Sequence, residues 1–437
     1  MMRVNRLALV VLLAAFVALL NWSYRTMVVP TYAYIGFTYH SVPLLLRTFT
    51  VLLAIAPATW MPLALESPSQ VVYWFLYLMV LVPSLLMPEV ALPLGWPSVV
   101  YLSGTLFVAF ALLGFSLRVS RVRLPRVELS SMQFWVGFGI AVLALTGVVV
   151  KVFGFSLSLP SLSDVYGVRA QYKAALLATG GLVGYAVFWL GLVFNPMLLA
   201  YGAIRRRPLP FLVGLVGQLL LFSITGLKGL FFNAALVLTI VLVVERGRAR
   251  FGQLAVGGAL GITGLCAGVD LLTGGRLLTN ILVRRVLMVP GLLSGFYYDF
   301  FRHHPKALLG HSVLAGLSSY PYAMAPPRII GSAYFLQGTD ANASVWSDAY
   351  ANFGVGGVLA FTVLLGVVLW LLDSAARDHD LRLGAVFAAI LGLTLSNTGL
   401  LTTMLTHGGG LVLVLLMLAP RYRGESGRAP VIGERPT

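Results

Sequence analysis

The chain is predicted to be an all-α integral membrane protein with about twelve transmembrane helices. Three observations predict it. Of 437 residues, 59% are hydrophobic and only 10% are charged, and the mean hydropathy is +0.91. A soluble globular chain carries about 25% charged residues, so too few polar side chains remain here to cover a water-facing surface. The apolar residues fall in runs of roughly 16 to 22, long enough to cross a bilayer core as helices. Finally, the short connectors between runs are basic at alternate gaps, as a multi-pass chain of fixed orientation requires. A β-barrel would show short alternating strands, which are absent.

The spans are placed at 5–21, 42–64, 70–87, 98–117, 132–150, 176–199, 209–225, 229–245, 252–270, 353–372, 383–398 and 406–419. The first run follows Arg3 and Arg6 as a secretory signal would. It meets Asn21-Trp22-Ser23-Tyr24 rather than a small-residue cleavage site, so it is read as a retained span. The stretch 383–419 is open to a second reading, one span plus a re-entrant piece. Arg118, Arg121, Arg123 and Arg126 fill one connector, Arg205 to Arg207 another, and Arg246, Arg248 and Arg250 a third. Arg377 and Arg382 follow, then Arg421, Arg423, Arg428 and Arg435 in the tail. With twelve spans all of these share one side with both termini. By the positive-inside bias that side is the cytoplasm. The membrane domain is 1–420 and the polar segment 421–437 is a cytoplasmic tail.

Several function classes are excluded. The lone Cys266 supports neither a disulfide framework nor a cysteine metal site, and reads as a small packing residue. The net charge of +16 suits anionic partners. No basic run interleaves with aromatics in a polar segment, so no nucleic-acid partner is expected. HExxH, Walker and GxSxG patterns are absent. Asp378-His379-Asp380 is a DxD triplet, but in a short cytoplasmic connector it reads as a solvated turn. No metal and no cofactor is expected.

The chemistry is sought in the outer segments: 151–175, the turn around Lys228, and the long loop 271–352, where short interfacial helices are expected. There Arg169, Lys173, Lys228, Arg276, Arg284, Arg285, Arg302, Lys306 and Arg328 run against the charge bias. Each reads first as a solvated or headgroup-contacting charge. Together they form a candidate anion site, because guanidinium groups hold phosphate oxygens by paired hydrogen bonds. A departing sugar diphosphate develops negative charge that such groups stabilise. A base is needed at the attacking hydroxyl. Asp348 and Asp164 are the candidate carboxylates, with His304, His303 and His311 as alternatives. Asp164 follows Ser161 and Ser163 and also suits a helix cap. Asp299 lies among Tyr297, Tyr298, Phe300 and Phe301, which suits interfacial packing or stacking on sugars.

The stretches RRVLMVPGLLSGFYYDFF (284–301), IIGSAYF (329–335) and ANASVWSDAYANFGVGG (341–357) resemble the oligosaccharide repeat-unit polymerases, the Wzy-type O-antigen polymerases. SDVYGVRAQY (163–172) resembles that family's shorter outer loop, and GLKGLFFNAALV (226–237) its span that opens on a basic residue. The resemblance covers roughly 150–420; the N-terminal third adds only hydropathy. It implies a GT-C-like fold and a metal-independent glycosyltransferase on the outer face of the bacterial plasma membrane. The implied partners are the bilayer, undecaprenyl-diphosphate-linked glycan donor and acceptor, and a chain-length regulator protein. Some members carry Arg-x10-Gly in both outer loops, which Arg169 with Gly180 and Arg284 with Gly295 match. On this reading Arg169, Arg284, Arg285 and Lys228 hold the diphosphate, and Asp348, His304 or Asp164 takes the proton. Tyr297, Tyr298, Trp346, Tyr350 and Asn342 flank the sugars. Two rivals stay open: an O-antigen ligase or another lipid-linked sugar transferase, and a transporter or flippase for lipid-linked oligosaccharide. Transporters usually show repeated halves, which this sequence lacks.

Overall fold

In the computed structural model, residues 2–125, 127–158, 160, 164–179, 181–312, 314–317, 319–335 and 339–420 are described. Arg126, Ser161, Ser163, Gly180 and the tail 421–437 lie outside the described residues, and so does the Arg169–Gly180 spacing. The described residues are helical with no strand. We name the helices α1 (Asn5–Ile35), α2 (Leu44–Thr59), α3 (Pro68–Ala91), α4 (Trp96–Ser116) and α5 (Ser131–Phe153). They continue as α6 (Val165–Ala178), α7 (Leu182–Arg205), α8 (Pro208–Thr225), α9 (Lys228–Gly247) and α10 (Phe251–Thr273). The last are α11 (Thr279–His303), α12 (Pro326–Tyr334), α13 (Val345–Ala375), α14 (Leu381–Leu395), α15 (Leu400–Leu405) and α16 (Gly409–Leu418).

Among the described residues, 10 helical stretches are long and apolar enough to cross a membrane, with α9 and α10 joined in one and α15 and α16 in another. The chain is therefore a multi-pass helical membrane protein. Each of the twelve expected spans coincides with a helix, but α2 and α14 are shorter than a full crossing. The span expected at 176–199 begins later, because α6 is a separate helix.

Contacts sort the helix ends onto two faces. Arg6 donates to Ala58 O, Leu65 N to Arg248 O and Arg121 to Glu66 O. On the same face Trp370 donates to Ser120 O, and Arg382 pairs with Glu245. This face gathers the arginine-rich connectors. On the opposite face Thr38 donates to Ala91 O and His40 N to Val90 O. There Glu89 is buried against Arg47 and accepts from Thr50 at 2.9 Å, which fastens α2 to the end of α3. A buried charge without such partners would cost several kcal/mol, roughly.

The long loop differs from expectation. Besides the short helix α12 it contains α11, 25 residues and about 37 Å long. In α11, 72% of the apolar window is buried, against 11% in α5, so α11 is an interior element. Both its ends lie on the face opposite the arginines. Leu278 N and Thr279 N donate to Asp270 at the end of α10, and Arg302 donates to Ser98 at the start of α4. The helix thus runs across the bundle. It enters on a π-helical stretch at 279–288. Its small residues then permit close approach: Gly291 packs on Pro83, and Gly295 on Pro88 and Leu92. Connector residues 36–40 cross it from the other side, Gly36 lying against Phe296.

Helix α13 is also not one rod. Phe353 (φ −143°, ψ 15°) and Gly354 (φ 63°, ψ −148°) leave helical geometry and reverse the chain. Gly354 is needed there, because a side chain strongly disfavours that backbone region. The short arm 345–352 folds back along 355–375, with Trp346 Nε1 donating to Thr362 Oγ1 at 3.0 Å. Its N-terminus is capped by Ser344, whose side chain accepts from Ser347 N. By helical rise, that N-terminus reaches about 12 Å down from the turn. The expected span at 353–372 is the long arm alone. A second break, 396–399, separates α14 from α15. The chain returns through α16 to the arginine-rich face, where His379 meets Leu416 O.

Candidate functional site

The short arm of α13 divides the candidate residues between two sides. Trp346, Ser347 and Tyr350 line a pocket with Ser294 and Tyr298 of α11 and Tyr101 of α4. Asp348 points the other way. Gly399, in the second helix break, lies so close that a Cβ there would overlap Asp348 Oδ2. Among the described residues none donates a hydrogen bond to this carboxylate. An ionisable side chain so deep in a membrane protein marks a functional site by default.

From Asp348 the site can be followed to the surface. Tyr297, also within reach of the Asp348 charge, donates its hydroxyl to Ala341 O at 2.9 Å. Ala341 N bonds to Pro327 O at the start of α12. The preceding residue, Asp340, bridges Lys173 of α6 (2.7 Å) and Arg328 of α12 (3.4 Å). Arg169 lies one turn before Lys173 on α6. The first turns of α6 pack on Gly226, whose Cβ would lie 3.4 Å from Arg169 N. Lys228 begins α9 two residues further on. Basic groups of α6 and α12 thus share one carboxylate, and Lys228 opens α9 beside the turn on which α6 packs.

The other candidates fall elsewhere. Arg284 is buried; its Nε donates to Asn280 Oδ1 at 2.6 Å and its guanidinium lies 4.2 Å from the Tyr32 ring centroid. Those contacts fasten α11 to the end of α1 rather than to α6. Arg285, one residue on, is exposed. His304 is exposed, stacked on Phe300 with Nδ1 2.8 Å from Phe300 O. Asp164 is exposed at the start of α6 and its side chain does not cap it. Asn342 is exposed. Tyr297 is buried away from the pocket that Tyr298 lines. In the DxD triplet Asp380 caps α14 and accepts from Arg382 at 2.7 Å, a local structural use. Lys173, Arg328, Asp340 and Gly399 are additions. Lys173 and Arg328 were visible as outer charges, but only the fold places them on one carboxylate.

The Asp340 bridge carries a pH prediction. Burial pushes its carboxyl up, but Lys173 and Arg328 outweigh burial and hold it below the usual carboxylate range. A depressed folded value means that the stabilisation is present above the unfolded value and lost as pH falls through the folded one. The bridge is partly exposed, so its worth is small, about 0.2–1 kcal/mol. Hydrogen exchange in 326–334 should accelerate only at pH below the ordinary aspartate range, and Asp340→Asn should abolish that dependence. Acceleration centred on the ordinary range would contradict it.

No protein-family model matches the chain, and neither a curated protein nor a solved structure does.

Proposed function

We propose that the protein transfers a growing glycan from undecaprenyl diphosphate to the terminal sugar of a second lipid-linked repeat unit, on the outer face of a bacterial plasma membrane. The observation that carries this reading is Asp348, a half-buried carboxylate with no hydrogen-bond donor among the described residues, on the side of the short arm where Tyr297 bonds to Ala341, next to Asp340 and its cations. In the proposed step the acceptor hydroxyl attacks the anomeric carbon of the donor sugar. Its proton passes to Asp348, the C–O bond to the diphosphate breaks, and the polyprenyl diphosphate leaves with that electron pair. Arg169, Lys173, Lys228 and Arg328 would bind the leaving diphosphate, for which Asp340 is the resident anion. Arg285 is exposed and free to serve the same headgroup level; Arg284 is committed to Asn280 and Tyr32. Resemblance over roughly 150–420 supports the same chemistry. Localisation, the cytoplasmic position of both termini and a chain-length regulator partner belong to the proposal.

Purified protein given lipid-linked repeat units should produce a ladder of glycans. Arg169→Ala should remove the ladder while the protein stays in the membrane. A single transfer product in place of a ladder would favour a ligase or another transferase.

One feature favours a second reading. Two interrupted helices meet at Asp348 and Gly399, and transporters place their sites at such breaks. Translocation of lipid-linked oligosaccharide across vesicles, with no new glycosidic bond, would support that reading over transfer.

A further inference from the structure

Asp340 is held the way a phosphate is held. Lys173 Nζ of α6 meets its Oδ2 at 2.7 Å, and Arg328 Nε of α12 meets its Oδ1 at 3.4 Å. Cations from two helices take one oxygen each, as such groups do with neighbouring phosphate oxygens. Helix α6 carries Arg169 and Lys173 and no acid, and α12 carries Arg328 and no acid. The positive charge of the two helices thus exceeds what the single carboxylate neutralises.

The hold on the carboxylate is weak and local. Among the described residues Lys173 and Arg328 are the donors that reach it, and all three side chains are partly exposed. An exposed ion pair shifts an equilibrium by a factor of about 1.4 to 5. The backbone on either side is fixed more firmly. Thr339 O rests against Gly331, where a Cβ would overlap it, and Ala341 N donates to Pro327 O at 3.0 Å. The Asp340 side chain can therefore swing off its cations while the chain around it stays in place. Because it is tethered, it also returns at high effective concentration.

We infer that Asp340 is a specificity-determining place-holder, an internal anion that multiply charged phosphate ligands displace and singly charged ones do not. A phosphodiester headgroup of bulk lipid brings one negative charge, no more than the carboxylate it must evict. A diphosphate brings more charge and more oxygens, enough to engage Lys173 and Arg328 with Arg169 beside them. Without Asp340, the surplus charge of α6 and α12 at the outer surface would collect bulk headgroups. This deepens the proposed function and rests on it: a donor carried on a diphosphate must be picked out from a large excess of phosphodiesters. The same competition speeds release, because the returning carboxylate helps to expel the spent diphosphate.

The test uses full-length protein in phosphatidylcholine nanodiscs, with inorganic pyrophosphate as ligand and calorimetry as readout. Asp340→Asn, close in shape and without charge, should tighten pyrophosphate binding about two- to thirtyfold, the combined factor of two exposed pairs. Asp340→Ala should shift affinity in the same direction, with both variants folded by thermal melting. Lys173→Ala should weaken binding and shrink the gain from Asp340→Asn, because the competed partner is gone. Adding phosphatidylglycerol should also shrink that gain, since headgroups then enter the vacated site; general repulsion by the lipid lowers both variants alike. Unchanged or weaker binding in Asp340→Asn would overturn the inference, making Asp340 a group that orders the cations. A gain of equal size in both kinds of disc would overturn the selection against headgroups, and absence of pyrophosphate binding in wild type and variants would remove the site. Binding is read without turnover, so the two proposals fail separately. The gain in Asp340→Asn without a ladder from any variant sinks the polymerase reading alone; a ladder from wild type with no gain in Asp340→Asn sinks the place-holder alone.

Discussion

Asp348→Asn should abolish polymer formation while leaving folded protein in the membrane. The carboxylate accepts no hydrogen bond from any described residue, so the isosteric amide forfeits no structural contact. Asparagine also fits the space beside Gly399, where the two side chains differ by one atom type. What the amide cannot do is take a proton from the acceptor hydroxyl. General-base catalysis contributes about 10²- to 10⁴-fold, and the rate of ladder formation should fall by that order. Asp348→Glu, longer by one methylene against a glycine already in contact, should recover little. Binding of polyprenyl diphosphate should be unchanged in Asp348→Asn, which separates loss of chemistry from loss of substrate. A ladder of normal rate from Asp348→Asn would remove the base from the scheme, and Tyr297 with it as a route to the surface.

Gly291→Val should have the largest effect on stability. A Cβ at 291 would overlap the Pro83 carbonyl, and both partners there are backbone. Neither can rotate away, so α11 must lift off α3. Forced overpacking costs about 1–3 kcal/mol when side chains can adjust, and more when they cannot. The variant should show a large drop in melting temperature in detergent and a poor yield. Gly295→Ala is the internal control. Its Cβ would meet side-chain atoms of Leu92 and Pro88 at 2.8 and 2.9 Å, and Leu92 can turn aside, so the loss should be milder. Equal melting of both variants would show that α11 does not depend on this contact.

Hydropathy made most of the fold legible, because a span such as α5 or α8 is continuous and nearly uncharged. It failed at α11 for a physical reason. Arg284 and Arg285 near one end and Asp299 and Arg302 near the other leave no long uncharged run, and its hydropathy reaches only 1.2 against 2.3 in α5, so it reads as loop. Those charges are accommodated because both helix ends emerge at one face. Gly291 and Gly295, spaced four apart beside Pro290, were the signal that this segment packs against another helix. The helix break at 353–354 was also foreshadowed: Gly354, Gly356 and Gly357 interrupt an otherwise apolar run. For the candidate site, residue type pointed to Asp348 and to the outer cations. Which of them share a side was not readable, because it depends on the fold-back at Gly354 and on α6 meeting the turn at 226. Arg284 shows the difficulty: adjacent to Arg285, it turns inward onto Tyr32 while its neighbour faces out.

The position of α11 also constrains the order in which the protein can be assembled. Residues 36–40 leave the ribosome some 250 residues before Phe296, the ring against which Gly36 finally rests. The first three helices must therefore wait in the bilayer in a looser arrangement, with a gap where the transverse helix will lie. That helix can take its place only after the seven helices α4 to α10 have been threaded, so the amino-terminal region should be among the last parts to become protease-resistant during biosynthesis.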